Sequence, residues 1–122
     1  MNDETDVKQL KEMVKIFCEE RDWDQYHNAK DLAIGIITEA SELLEHFRFK
    51  SEAEVSDLFK EKIKKEGISE ELADVFFFVL RLAEKYHIDL SDELQKKLEK
   101  NIVKYPIEKA KGSNKKYTEY MK

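Results

Sequence analysis

Four acidic residues form two pairs with the same spacing along the chain, Glu39 with Glu42 and Glu71 with Asp74. A separation of three residues places both carboxylates of a pair on one face of a helix. Each pair lies within an apolar stretch, where an ionised carboxylate is costly to place. Acid pairs on packed helices are one way in which a bundle holds hard divalent cations such as Mg²⁺. The spacing therefore predicts metal-assisted chemistry on a phosphate.

Both acid pairs are predicted at the boundary between the core and the surface of their helices. At about 100° per residue, Glu39 falls at the edge of an apolar arc and Glu42 lies about 60° away on its polar side. Glu71 and Asp74 have the same relation to their own helix. Gly35, one turn before Glu39, is expected to leave the helix surface open. This arrangement suits a cleft between two helices, in which bound Mg²⁺ would relieve the mutual repulsion of the carboxylates.

The elements that must position these acids are helices, because helical periodicity dominates the sequence and no strand alternation is sustained. The predicted helices are 6–21, 29–47, a short one from the capping box at Ser51 to Phe59, one from Ser69 to Tyr86 or His87, and one from Asp89 or Ser91 to Tyr105. Pro106 ends the last of these helices, and the charged segment 61–67 is predicted to be a loop. The predicted fold class is therefore all-α, a four-helix bundle with one short extra helix.

The composition indicates a single domain with a strongly charged surface. The chain has 122 residues, of which 40% are charged, and a formal net charge of −5. This negative charge argues against nucleic-acid binding through phosphate contacts. The longest apolar run, Val75 to Leu80, is far too short to span a bilayer, so a cytoplasmic protein with no membrane partner is expected. We predict a domain over residues 1–111, followed by a polar tail over residues 112–122.

The helix that carries Glu71 is apolar nearly all round. Its apolar side chains are Leu72, Ala73, Val75, Phe76, Phe77, Phe78, Val79, Leu80, Leu82 and Ala83. A helix of this kind must be covered on several sides, which the other helices of a small monomer would struggle to achieve. The sequence therefore predicts a homo-oligomer whose interface buries this helix.

Two further groups of side chains could contact a substrate. On the last predicted helix, one face carries Lys97, Asn101 and Lys104. Lysines can meet phosphate oxygens and an asparagine can read a base edge, but the same face could also be ordinary solvated surface. An aromatic group consists of Trp23, Tyr26 and His27, with Phe49 further on. These rings could stack on a base or could cap the end of the bundle.

At these residues the chain resembles the MazG-like nucleoside triphosphate pyrophosphohydrolases, in the short single-domain branch that includes the dCTP pyrophosphatases. The acidic signature of that family is Glu-Glu-x-x-Glu, followed after a spacer by Glu-x-x-Asp. It is matched by Glu39, Glu42, Glu71 and Asp74, with Thr38 in place of the first Glu. The segments 21–27 and 30–33 resemble the substrate side of the branch, and its C-terminal motif is matched by Lys97, Asn101 and Lys104-Tyr105-Pro106.

The resemblance implies Mg²⁺-dependent hydrolysis of (deoxy)nucleoside triphosphates to the monophosphate and pyrophosphate, with dCTP-like or modified pyrimidine nucleotides among the expected substrates. It implies that the four acids hold two or more Mg²⁺ ions, for which Mn²⁺ could substitute. Among these acids, we choose Glu42 to position the attacking water. Lys97, Lys104 and Tyr105 would contact the phosphates. The expected pocket for the base and sugar, with the segment that leads to it, comprises Trp23, Tyr26, His27, Asp31, Phe49, Phe78 and Asn101.

Members of this branch are all-α and oligomeric, with active sites completed between subunits. The resemblance therefore implies at least a dimer, and a tetramer formed as a dimer of dimers. The cellular role that it implies is the removal of surplus or non-standard nucleotides from the pool.

Two other classes of protein fit parts of the pattern. A di-iron carboxylate bundle needs paired Glu-x-x-His motifs, and this chain has one, Glu84-Lys85-Tyr86-His87. That motif points more than about 130° away from the acids of the same helix. A non-enzymatic helical interaction module would treat the acids as solvated and the apolar helix as a partner surface. Glutamine in place of Glu39 or Glu71 should then leave every measurable property unchanged.

Overall fold

All regular structure is helical in the part of the protein that the structure describes, and no strand occurs there. The structure is a computed structural model that describes residues 5–116, 118 and 119. The helices are α1 (Val7–Glu20), α2 (Ala29–Glu45), α3 (Glu52–Leu58), α4 (Lys62–Lys85), α5 (Leu90–Lys104) and α6 (Ile107–Ala110). The predicted all-α fold class is therefore confirmed. None of the helices in these described ranges is both long enough and apolar enough to cross a membrane.

Short polar side chains determine where several helices begin, because they satisfy free backbone N–H groups. The hydroxyl of Ser51 accepts the N–H of Glu54 at 3.2 Å, while the carboxylate of Glu54 accepts the N–H of Ser51 at 3.1 Å. This is the predicted capping box at the start of α3. The carboxylate of Asp89 accepts the N–H of Asp92 at 3.0 Å, so Asp89 rather than Ser91 caps α5.

Helix α4 begins at Lys62, so the prediction of a loop over residues 61–67 and of a helix start at Ser69 is wrong. The segment is rich in lysine and glutamate, which are good helix formers, and Gly67 adds only a modest cost. Ile68 is buried, so tertiary packing anchors this turn. Ser69 does not act as a cap, because its hydroxyl donates to a backbone carbonyl one turn earlier, at 2.8 Å.

Two other helix ends differ from the prediction. Helix α2 ends at Glu45 rather than at residue 47, and α6 follows Pro106. Pro106 has no N–H and cannot continue α5, but its fixed φ is compatible with the start of a new helix. In the described residues, two short helices, α3 and α6, therefore accompany the four longer ones.

The chain forms two compact units, one up to His87 and one from Ile88 onward. In the first unit, α4 packs against α2 and α1. The buried side chains are Cys18, Leu32, Leu58, Ile68, Leu80, Arg81 and Ala83. Large apolar side chains of α4, including Leu72 and Phe76, remain exposed in the single chain. The predicted homo-oligomer stays a prediction, with this surface as its candidate interface.

The second unit contains α5 and α6, and no residue of either helix is buried. The ammonium group of Lys96 lies 2.9 Å from the carboxylate of Asp92 on the surface of α5. Gly112, where the predicted tail begins, has a φ of 74°, a conformation that glycine adopts at little cost. The predicted boundary between residues 111 and 112 stays a prediction, and part of the tail lies outside the described residues.

Candidate active site

Three of the four predicted acids come together between α2 and α4. Glu39, Glu42 and Glu71 each offer a carboxylate oxygen, and these oxygens lie within 4.8 Å of one another. Glu39 and Glu71 are half-buried, whereas Glu42 is exposed. Asp74 is exposed one turn further along α4, and its charge acts on Glu39. The structure therefore groups three carboxylates closely and leaves Asp74 outside that group.

Burial and crowding change the proton affinity of this cluster. Loss of hydration raises the pKa of Glu39 from 4.5 to about 7, and the neighbouring Glu42 adds to the rise. Loss of hydration also raises the pKa of Glu71, again with a contribution from the charge of Glu42. Carboxylates at this separation repel one another, so full ionisation of the cluster at neutral pH requires a compensating charge.

The cluster contains unsatisfied oxygen atoms that fit a hard divalent cation. Oε2 of Glu39 and Oε2 of Glu71 are buried and have no hydrogen-bond partner among the described residues. A buried acceptor without a partner costs about 1–3 kcal/mol. Carboxylate oxygens are ligands that suit Mg²⁺ and Mn²⁺. A cation held by these residues would satisfy both atoms and offset the repulsion within the cluster.

The raised pKa of Glu39 predicts that the stability of the metal-free protein depends on pH. Between pH 4.5 and about 7, Glu39 binds protons more strongly in the folded than in the unfolded chain. This contribution to stability is therefore complete below pH 4.5 and is lost as the pH rises through about 7. Because solvent screens part of the interaction, we expect a loss on the order of 1–2 kcal/mol.

Urea unfolding in EDTA, at about pH 5 and about pH 7.5, would measure this loss. The control is Glu39→Gln, which keeps the shape of the side chain but removes the titrating group. An equal change of stability with pH in both proteins would contradict the prediction.

A close approach of α4 to α2 occurs one turn before Glu39. The ring of Phe78 lies against Gly35, and a Cβ atom at position 35 would be 2.7 Å from Cδ1 and Cε1 of that ring. The expectation that Gly35 leaves the helix surface open is therefore wrong, because an aromatic ring from α4 occupies the space. Phe78 follows Glu71 by two turns on the same face of α4, so we expect this contact to influence the separation of the two helices beside the acids.

The predicted aromatic group is assembled only in part. The ring of Trp23 packs edge to face with His27, with centroids 5.8 Å apart, and with Phe17 at 5.5 Å. Tyr26 is 65% exposed. Asp31 is exposed in the first turn of α2. The structure thus brings Trp23 and His27 together as a pair and presents Tyr26 and Asp31 to solvent.

Phe49 follows the end of α2 and is unusual in both conformation and exposure. Its side chain is 92% exposed, and its backbone φ is 63°. The guanidinium carbon of Arg48 lies 4.7 Å from the centroid of its ring. A positive φ is strained for a bulky residue, and strain of this kind clusters at functional sites. The predicted contact of Phe49 with the nucleotide stays a prediction.

A buried cation on α4 was not predicted from the sequence. Arg81 is 1% exposed and donates hydrogen bonds to Asp24, His27 and Glu84. The available signal was an arginine inside an apolar run, since such a residue is buried only with partners.

The geometry does not favour the Glu84–His87 motif as a di-iron ligand pair. Glu84 is engaged by Arg81, and His87 lies beyond the end of α4 with a φ of 56°.

The residues predicted to contact phosphates belong to the second unit. Lys97, Asn101 and Lys104 share one face of α5 by their spacing, and Tyr105 follows as the C-cap residue. Lys97 is exposed, whereas Asn101 and Lys104 are half-buried. The roles assigned to these residues stay predictions.

Comparison with known proteins identifies the family. A family model described as MazG-like matches residues 34–120. The dCTP pyrophosphatase 1 of Rattus norvegicus is 32% identical over 116 residues, which cover 95% of this chain and 68% of that protein. The Homo sapiens protein of the same name is 30% identical, with the same coverage. Among solved structures, a pyrophosphatase from Archaeoglobus fulgidus has a TM-score of 0.77 and 32% identity, covering 87% of this chain and 97% of that one.

The chain therefore belongs to the MazG-like family, and the resemblance found in the sequence is confirmed. The prediction that it is a nucleoside triphosphate pyrophosphohydrolase is confirmed by this membership and by its relatives. The matched region contains all four predicted acids, Glu39, Glu42, Glu71 and Asp74.

Proposed function

We propose that this protein hydrolyses (deoxy)nucleoside triphosphates to the monophosphate and pyrophosphate, with Mg²⁺ held by Glu39, Glu42, Glu71 and Asp74. The observation that carries the proposal is the pair of buried, unpartnered carboxylate oxygens on Glu39 and Glu71. In a helical interaction module that binds no cation, acids in this position would only lower the stability of the fold. A bound divalent cation would neutralise the triphosphate charge and increase the acidity of a nearby water.

Glu42 is the member of the cluster that we assign to the attacking water. It is exposed, so a water can reach it, and its carboxylate can accept the proton of that water. The water oxygen bonds to the α-phosphorus while the bond from that phosphorus to the oxygen leading to the β-phosphate breaks. Pyrophosphate leaves with the electron pair. Glu39 and Glu71, which are half-buried where α2 packs against α4, are assigned to the cation.

The nucleotide that we propose is dCTP or a related or modified pyrimidine triphosphate, because the relatives named above are dCTP pyrophosphatases. The proposed phosphate contacts are Lys97, Lys104 and Tyr105. The proposed contacts to the base and sugar are Trp23, Tyr26, His27, Asp31, Phe49, Phe78 and Asn101. The exposure of the Phe49 ring supports a stacking role for it. The cellular role would be the removal of surplus or non-standard nucleotides.

We also propose that the protein is a homo-oligomer, at least a dimer and, from the resemblance, a tetramer. An apolar groove on α4 supports this, and it is lined by Leu72, Ala73, Val75, Phe76 and Val79. Contiguous exposed apolar surface of this kind marks an interaction site in many proteins. The cytoplasmic location stays part of the proposal.

Pyrophosphate release from a panel of canonical and modified nucleoside triphosphates, with Mg²⁺ and with EDTA, would test the proposed chemistry. We expect release that requires Mg²⁺ or Mn²⁺, with a preference for cytosine nucleotides. Release from no triphosphate at any concentration of either metal would refute the proposed reaction. Release with a preference for a purine would refute the proposed substrate but not the reaction.

A further inference from the structure

A buried arginine joins the C-terminal part of α4 to the loop between α1 and α2. Each guanidinium nitrogen of Arg81 has a partner in this region. Nε donates to Nδ1 of His27 at 3.0 Å, one terminal nitrogen donates to Glu84 at 2.6 Å, and the other donates to the carboxylate of Asp24. The side chain of Arg81 is 1% exposed, whereas that of Glu84 is 15% exposed and that of Asp24 is 59% exposed. The guanidinium is therefore buried at its own end, and water can reach the carboxylate of Asp24.

The last residue of α4 and the C-cap residue that follows it hold the same loop. The ammonium group of Lys85 donates to the backbone carbonyl of Asp24 at 2.7 Å. The hydroxyl of Tyr86 accepts the N–H of Ala29 at 2.9 Å, at the start of α2. Residues 24–29 are therefore fixed to α4 at both ends, and His27 lies between these two attachment points.

The contact with Arg81 determines which nitrogen of His27 carries a proton. An arginine Nε always bears hydrogen and can only donate, so Nδ1 of His27 must present a lone pair. The neutral ring then carries its proton on Nε2. A protonated ring would place two N–H groups against each other and lose this hydrogen bond.

Burial and the nearby positive charges both favour the neutral form of the His27 ring. Burial lowers the pKa of His27 below its ordinary value of 6.5, and the positive charges of Arg81 and Lys85 lower it further. The carboxylates of Asp24 and Asp31 oppose this effect but do not outweigh it. The ring is therefore neutral at physiological pH.

We propose that Arg81 is the positioning residue that fixes His27 as a neutral ring with a permanent Nε2–H donor for the nucleotide. The step to the nucleotide rests on the proposed function, which assigns His27 to the substrate pocket. A donor that cannot become an acceptor selects an acceptor atom on the substrate, such as a base carbonyl oxygen or an unprotonated ring nitrogen. It disfavours a nucleotide that presents an N–H at the same point, because two donors would then face each other.

The first test is a long-range ¹H–¹⁵N spectrum of the free protein across a pH titration, with no nucleotide present. The His27 signals are assigned by their loss in His27→Gln. We expect a single Nε2–H tautomer, and a pKa of the ring below its ordinary value of 6.5. A proton on Nδ1, or protonation of the ring at or above pH 6.5, would overturn the proposal. This result does not depend on whether the protein hydrolyses any nucleotide.

The second test compares Arg81→Lys with Glu84→Gln. Lysine keeps the positive charge but lacks the planar Nε donor, so we expect mixed tautomers of His27 and a KM raised about tenfold, with kcat changed less than about twofold. Glu84→Gln alters a partner of Arg81 that does not touch His27, and should keep the tautomer and the KM. An unchanged tautomer and KM in Arg81→Lys would overturn the proposal. If Arg81→Lys does not fold, the tautomer of His27 in the spectrum of the unaltered protein decides whether the proposal holds.

Discussion

Replacing Glu71 by glutamine is expected to lower the rate of pyrophosphate release by about 10³-fold, because a bound metal ion contributes several kcal/mol to such a reaction and each 1.36 kcal/mol is tenfold. Glutamine has nearly the shape of glutamate but cannot offer a charged oxygen to a cation. The buried Oε2 of Glu71 is one of the two unpartnered atoms of the cluster, so the change acts directly on the proposed ligand. Steady-state assays with saturating Mg²⁺ would measure the loss.

Thermal unfolding gives a second readout of the same variant. Mg²⁺ should raise the Tm of the unaltered protein, because a ligand that binds only the folded state stabilises it. The Tm of Glu71→Gln should respond little to Mg²⁺. The matched control is Glu70→Gln, one residue earlier and exposed, which should keep both activity and metal response. If Glu71→Gln behaved like this control, Glu71 would not hold the cation, and the proposed metal site would be refuted.

The fold was predictable where local chemistry decides it. Capping residues such as Ser51 and Asp89 mark helix starts whether or not anything packs against them. The start of α4 was not predictable in this way, because lysine, glutamate and glycine in sequence are compatible with both a loop and a helix. Burial of Ile68 favours the helix, and that burial depends on contacts that the local sequence does not encode.

The candidate site, like the fold, was predictable where sequence spacing decides it and not where long-range packing does. The spacing of Glu39 and Glu42 predicts a shared helix face, and the structure brings both within 4.8 Å of Glu71. Spacing could not show that Glu39 would be buried enough to raise its pKa to about 7. The partners of Arg81 were equally hidden, since His27 and Asp24 lie 54 and 57 residues earlier in the chain. Long-range pairing of this kind follows from the fold and not from periodicity.

Alanine in place of Gly35 is expected to impair both stability and activity, although it alters no acidic residue. The new Cβ would lie 2.7 Å from the ring of Phe78, and that ring is itself packed edge to face against Phe77 at 5.3 Å. Overpacking costs about 1–3 kcal/mol, and alanine regains about 1 kcal/mol of helix propensity, so we expect a net loss of up to roughly 2 kcal/mol. If α2 shifts away from α4 by about 1 Å, the displaced acids should cost roughly 10²-fold in rate.

Gly67→Ala provides the control, because the two positions differ in what an added methyl group meets. Gly67 also lies inside a helix, but a Cβ there would be 3.4 Å from Cε1 of His46, an ordinary contact distance. This variant should be as stable as the unaltered protein or more stable by up to about 1 kcal/mol, with full activity. Urea unfolding would measure the stability of both variants, and pyrophosphate release would measure their activity. Equal stability and activity in the two variants would mean that the ring of Phe78 moves aside freely, and its contact with Gly35 would then not set the separation of the helices that carry the acids.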